Sequence, residues 1–189
     1  LMKETERRHR QLEREVGMVE FRFDDRAEDV LPFAAKWKSR QLLDSGAEDM
    51  FEDEGTWRYL RAMRERPEFF ASTIRVDGRI LATWLGFVHD GVLSGWIFTF
   101  DQDPALKKYS LGHRLLRDML RESHARGHKR FDFSIGGEDY KWLYATDAHL
   151  LADFGQKPLR ELMTRRIKGS LKKTVNQISS LSRPRGRAA

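Results

Sequence analysis

Residues 130 to 141 read Arg-Phe-Asp-Phe-Ser-Ile-Gly-Gly-Glu-Asp-Tyr-Lys and put carboxylates, a phenol and an amine into one short stretch. Asp132 sits between two phenylalanines. A carboxylate in such surroundings loses hydration, so its pKa can rise and it can take a proton from an attacking amine or hydroxyl. Tyr140 is placed to return a proton to a leaving group. Lys141 could steady a developing negative charge or hold an anionic part of a substrate. Glu138 and Asp139 bring two more carboxylates to the same turn. The same charges have a structural use, since an Asp132–Lys141 ion pair would lock the turn without doing chemistry.

A second loop has a different chemistry. Lys107 and Lys108 lead through Tyr109 and Ser110 into the helical stretch that begins at Leu111, with Gly112 in its first turn. The unpaired N–H groups and positive dipole end of a helix start favour an anion, and a pyrophosphate is a natural guest. An ordinary helix start capped by Ser110 is the alternative. Gly136-Gly137 is too short to be a nucleotide-binding fingerprint.

The elements that must position these loops follow from periodicity. Phe131, Phe133 and Ile135 alternate with Asp132 and Ser134 as a strand with two distinct faces, broken at Gly136-Gly137. Leu111 to Arg126 is helical, with Leu111, Leu115, Leu116, Met119 and Leu120 on one side and Gly127 as its stop. Three strands precede it: Phe69 to Val76, Ile80 to His89 and Val92 to Phe100. Asp77-Gly78 and Asp90-Gly91 turn them as tight antiparallel hairpins. The strand–helix–strand passage from Val92 to Phe131 is a crossover, so those two strands are predicted to be parallel.

Earlier in the chain, Val19, Phe21 and Phe23 form a strand, and helices are expected from Val30 to Leu42 and from Thr56 to Arg66. Leu150, Ala152 and Phe154 read as one further short strand. The expected fold class is a mixed α/β sheet in the order β-α-α-β-β-β-α-β-β, with helices on both faces. Residues 1–17 form a charged helix closed by Gly17, in which only Leu12 and Val16 could pack. It reads as a connector from an upstream domain, as does a chain that begins with Leu1. Residues 158–189 read as a basic amphipathic helix and a flexible tail.

Composition narrows the function classes. The chain has 189 residues, 40% of them apolar, with 12 Phe and 5 Trp, enough for one folded core. No apolar run approaches the length of a membrane span, and the first residues carry charge where a signal peptide would be apolar, so a cytoplasmic location is expected. The absence of cysteine excludes disulfides, thiolate ligands and a Cys nucleophile. The six histidines lack metal-site spacing, and no metal is expected. Ten of the lysines and arginines lie in residues 157–189 against the single Glu161. That tail is either a solvated face or a contact for anionic membrane or nucleic acid. Trp84, Trp96 and Trp142 are expected in aromatic core, or lining a sugar or acyl pocket.

The element order is similar to that of the Gcn5-related N-acetyltransferase (GNAT) fold. The string from Lys108 to Leu116, the Phe131-Asp132-Phe133 strand and the Gly137-Glu138-Asp139-Tyr140-Lys141 turn resemble the CelD-like branch of that family, related to FemAB-type transferases. Leu111 stands where that branch has proline, and the common GNAT string Gln/Arg-x-x-Gly-x-Gly/Ala is absent. The resemblance covers residues 18–157 and implies an acyltransferase domain that uses acetyl-CoA or another acyl-CoA. Lys107, Lys108, Tyr109, Ser110, Gly112, His113 and Arg114 would hold the cofactor, and Asp132, Glu138, Tyr140 and Lys141 would be catalytic. With no evident nucleophile, direct transfer is favoured over a covalent acyl-enzyme. The implied acceptor is a small molecule or glycan with an amino or hydroxyl group, such as a cell-envelope polysaccharide precursor. Aminoacyl transfer from tRNA and a non-catalytic role in polysaccharide export are the alternatives.

Overall fold

The computed structural model describes residues 2–151. Helix α1 spans Met2–Glu15, strand β1 Val19–Arg22, α2 Val30–Asp44 and α3 Glu54–Arg64. The meander follows as β2 (Phe69–Val76), β3 (Arg79–His89) and β4 (Val92–Phe100); then come α4 (Leu111–Ala125), β5 (Arg130–Asp132) and the short α5 (Asp139–Trp142). Five strands form one sheet in the order β1-β2-β3-β4-β5. Neighbours are antiparallel through β4, and β5 is parallel to β4, as the crossover requires. Both hairpins turn on their Asp-Gly pairs, with positive φ at Asp77 and Gly78 and at Asp90 and Gly91. That is the backbone a two-residue hairpin needs.

Strand β2 is buried at every position, so both faces of the sheet centre are covered. One layer is a core in which Val30, Leu31, Ala34 and Ala35 of α2 and Leu60 of α3 meet Phe69, Ala71, Leu85 and Ile97 of the sheet. Helix α4 packs on β2, β3 and β4, with Leu115, Leu116 and Met119 fully buried. A buried network ties the start of α2 to the sheet. Arg75 Nε reaches Asp25 at 2.6 Å, its terminal nitrogens reach Asp29 at 2.9 and 2.7 Å, and Thr73 donates to Asp25 at 2.7 Å.

Two expectations need correction. Helix α1 does not behave as a free connector: Leu12 is buried, and the helix packs against α4 and the 3-10 helix Pro104–Tyr109. Its charged residues supply the partners that fasten it. The Phe131 strand ends at Asp132, because Asp132 Oδ1 accepts the Ser134 N–H at 2.7 Å and Ser134 takes a positive φ of 61°. This local turn replaces further pairing. Residues 144–151 contain no helix or strand. Ala152, Phe154 and the basic segment 158–189 lie outside the described residues.

Candidate active site

Strands β4 and β5 pair only over Val92–Ser94 and Arg130–Asp132. From there β4 continues with β3 as its one partner among the described residues. The β3–β4 register shifts by one residue between Leu85 and Gly86, leaving Trp96 as an extra residue in β4. A bulge bends its strand and ends regular pairing. Phe98 and Phe100, beyond the bulge, form one wall of a cavity of about 850 Å³ whose other walls come from the end of α2, the 3-10 helix and the start of α4. The lining is mostly apolar, with Lys107 and Ser110 on one element and Tyr140 on another. Its volume lies in the range of small-molecule sites.

The α4 start is an anion-ready edge of this cavity. The first helical bond is from Arg114 N–H to the Ser110 carbonyl at 3.1 Å, so the N–H groups of Leu111 and Gly112 precede the ladder. Ser110 occupies the cap position in a left-handed conformation, without capping the helix through its side chain. Its hydroxyl instead accepts from Arg8 of α1. Gly112 serves packing: a Cβ there would lie 2.9 Å from Phe98 Cζ, so its absence lets the helix start lie against β4. Lys107 lines the cavity and has no ion pair among the described residues. Lys108 does not line it, because its Nζ is held by Glu15 at 2.5 Å, and Tyr109 donates to the same carboxylate at 2.8 Å. Arg114 turns to Asp118 within α4. His113 lines the cavity, and burial, reinforced by Arg8, pushes its imidazole below the usual pKa.

At the C-terminal turn, Tyr140 is half-buried in the cavity wall with its ring 5.9 Å from that of Phe98. Burial, helped by the Glu138 charge, pushes its phenol up to about 12. Lys141 is buried, and its Nζ reaches the carbonyl oxygens of Ile135 at 2.8 Å and Ser134 at 3.4 Å and the Glu138 carboxylate at 2.9 Å. Burial is the largest influence and works to raise the Glu138 pKa, but the Lys141 contact, a backbone N–H and the Lys38 charge together outweigh it and hold the group low. Asp132 is exposed; its partner is the Ser134 N–H, and the Asp132–Lys141 pair is not formed.

A family model described as an acetyltransferase (GNAT) domain matches residues 1–142. The chain belongs to the GNAT acetyltransferase family. The matched span includes α1, so the GNAT domain here takes in the helix that bears Arg8 and Glu15. No curated protein matches the chain. Among solved structures, a possible acetyltransferase from Clostridium difficile 630 superposes with a TM-score of 0.56 at 11% identity, over 75% of this chain and 99% of that one. A predicted acetyltransferase with acetyl-CoA from Clostridium acetobutylicum gives 0.54 at 16% identity, over 73% of this chain and 96% of that one. AAC(6')-Iy, in complex with the bisubstrate analogue CoA-S-monomethyl-acetylneamine, gives 0.52 at 10% identity, over 75% and 99%. These likenesses establish the fold.

In the GNAT domain the two loops singled out in the sequence thus meet at one cavity through Lys107, Ser110, Gly112, His113 and Tyr140. Lys108, Tyr109 and Arg114 face other partners, and Asp132, Glu138 and Lys141 lie outside the lining. The sequence reading missed Arg8 and Lys38. Arg8 comes from the segment taken for a connector. Lys38, half-buried on α2, reaches the Phe98 carbonyl at 3.5 Å. No local spacing marks either residue, since only tertiary packing brings Arg8 to Ser110 and Lys38 to the Phe98 carbonyl. Among the described residues no group of His, Cys, Asp and Glu could hold a metal, and no helix is long and apolar enough to cross a membrane.

Proposed function

We propose that the cavity binds an acyl-CoA, with acetyl-CoA as the first choice, and transfers its acyl group to an amino or hydroxyl acceptor. One observation carries this reading: an anion-ready helix start with Lys107 and a half-buried phenol line the same cavity, where β4 parts from β5. The diphosphate fits the α4 start, where backbone N–H groups and Lys107 supply donors and charge. The apolar wall of Phe98 and Phe100 suits a pantetheine arm. Tyr140 keeps its proton at neutral pH and can deliver it to the departing sulfur, while the acceptor attacks directly. Acetyl-CoA in the Clostridium acetobutylicum structure and the CoA-linked acetylneamine on AAC(6')-Iy are in keeping with this assignment.

For the acceptor, the Phe-Asp-Phe strand and the Gly-Glu-Asp-Tyr-Lys turn favour the CelD-like branch, hence a sugar or polysaccharide precursor bearing an amine or hydroxyl. Calorimetry with acetyl-CoA tests the donor. Thiol release from acetyl-CoA over a panel of amino sugars tests the acceptor, and a chain with no cysteine contributes no thiol background. Binding of acetyl-CoA with thiol release is expected. Absence of heat with acetyl-CoA would overturn the reading.

A further inference from the structure

A serine at the cap of a helix ordinarily turns its oxygen back to accept an N–H two or three residues on. Ser110 does not. It enters α4 with a left-handed backbone, φ 52° and ψ 51°, and its side chain makes no cap. The oxygen accepts instead from Arg8 of α1, and that is the hydroxyl's one hydrogen bond among the described residues. Ser110 is nonetheless part of the cavity wall.

Arg8 is itself held in place. Its Nε donates to Glu4 Oε1 at 2.8 Å, one turn earlier on α1, and a terminal nitrogen is left for Ser110. The C-terminal end of the same helix is fastened to the same loop, where Glu15 receives Lys108 and Tyr109. The cation stands close enough to the cavity for its charge to be felt at His113 in the lining.

A guanidinium only donates, whereas a hydroxyl has one hydrogen to give and two lone pairs with which to receive. With a lone pair taken by Arg8, the hydroxyl hydrogen is directed to another acceptor. Two consequences meet at the start of α4. The serine oxygen does not cover the N–H groups of Leu111 and Gly112, and the serine hydrogen is available beside them. Released from Arg8, the same oxygen is free to return to the helix and compete with an incoming anion for those N–H groups.

We propose that Arg8 is a positioning residue for the cofactor. It draws the Ser110 oxygen away from the helix start, which keeps the N–H groups of Leu111 and Gly112 open and leaves the Ser110 hydroxyl hydrogen to donate to the same phosphate group. This rests on the acyl-CoA reading above. It gives α1, a helix ahead of the first strand, a part in forming the diphosphate cradle without touching the ligand. Because Arg8 acts through Ser110, its effect on binding depends on which residue stands at position 110.

A double-mutant cycle on the full chain tests this dependence, with the acetyl-CoA Kd measured by calorimetry and Tm recorded for each variant. Arg8→Met should weaken acetyl-CoA about tenfold, the scale of one lost bond to a charged group. Ser110→Gly removes the hydroxyl while suiting the left-handed backbone, and it should weaken binding to a similar extent. Added to Ser110→Gly, Arg8→Met should change the affinity by less than about twofold, since the group it works through is already gone. A merely structural role for Arg8 in docking α1 would act whatever stands at position 110. Losses that multiply to about a hundredfold in the double variant, or an unchanged affinity in Arg8→Met, overturn the inference. Both outcomes leave acetyl-CoA binding by the parent chain, and with it the donor reading, intact. A parent chain that gives no heat with acetyl-CoA removes both.

Discussion

Tyr109 donates its hydroxyl hydrogen to Glu15 Oε2 at 2.8 Å, and Lys108 Nζ meets the same oxygen at 2.5 Å. The last turn of α1 thereby holds the residues just ahead of α4 from outside the cavity. Two adjacent lysines are separated in role: Lys108 is paired with Glu15 of α1, and Lys107 lines the cavity with no ion pair among the described residues. Arg8, from the same helix, reaches Ser110 at the next step of the chain.

This separation predicts unequal effects of two similar substitutions. Lys107→Ala should weaken acetyl-CoA binding about tenfold or more, the scale of one lost charge-assisted contact. Lys108→Ala should change it only slightly and show itself instead as a small fall in Tm, since exposed pairs contribute little. Calorimetry on the two variants decides it, and equal losses of affinity would contradict the assignment.

The hairpins and α4 were legible in the sequence because their signals are local: an Asp-Gly pair at each turn, and leucines spaced for one helix face. The parallel placement of β5 followed from the crossover rule. Its length did not, because Ser134 closes an Asp132-centred turn that competes with pairing, and phenylalanine alternation does not register that competition. Lys141 was visible as an amine in a reactive turn, yet its burial against Ser134 and Ile135 depends on how that turn folds over it. Lys38 carried no signal in its own helix, since only the packing of α2 on β4 brings it to the Phe98 carbonyl.

Gly112→Ala sets two effects against each other. Alanine gains about 1 kcal/mol over glycine in a helix. Its Cβ would come 2.9 Å from Phe98 Cζ, and that ring also packs against Trp84 at 4.8 Å and Phe100 at 5.9 Å, with little room to move. Overpacking of this kind costs about 1–3 kcal/mol. A net loss of up to about 2 kcal/mol is expected in urea denaturation, together with weaker acetyl-CoA binding. An unchanged or raised stability would mean that the Phe98 ring yields freely.

Arg75→Met should release α2 from the sheet. It leaves Asp25, which is buried, without its main cationic partner, and removes both bonds to the half-exposed Asp29. Breaking a buried pair on one side costs about 3–5 kcal/mol, and the exposure of Asp29 favours the low end. The pH dependence follows from the two carboxylates. Burial works to raise Asp25, but Arg75, Thr73 and the Ala27 N–H outweigh it, and Arg75 holds Asp29 low as well. Depressed carboxylates stabilise the fold above their unfolded pKa, and that contribution is lost as pH falls through the folded values. The gap between parent and variant in denaturant titrations should thus be full at neutral pH and shrink in strong acid.

Tyr140→Phe removes the proposed proton donor and keeps the ring against Phe98. Turnover should fall about 10²-fold or more, with little change in Tm or in acetyl-CoA affinity. With its phenol pushed up to about 12, Tyr140 stays protonated through neutral and moderately alkaline pH. The parent enzyme's kcat/KM should therefore show no alkaline loss from this group until pH approaches that value. A descending limb near neutrality that vanishes in Tyr140→Phe would contradict the burial argument.

Asp132 and Lys141 separate stability from chemistry at the C-terminal turn. Asp132→Asn retains an oxygen for the Ser134 N–H on an exposed side chain, so a purely structural Asp132 predicts near-parental Tm and turnover. Lys141→Met is different: it leaves the Ser134 and Ile135 carbonyls and the Glu138 carboxylate without their buried partner. Each lost bond to a charged group is worth about 1.5–3 kcal/mol, and the turn that carries Tyr140 loosens with them. A fall in Tm is expected, with turnover reduced through the misplacement of Tyr140. Measuring Tm and kcat on both variants separates the cases. A parental Tm with turnover down about 10²-fold in Asp132→Asn would return that carboxylate to the chemistry.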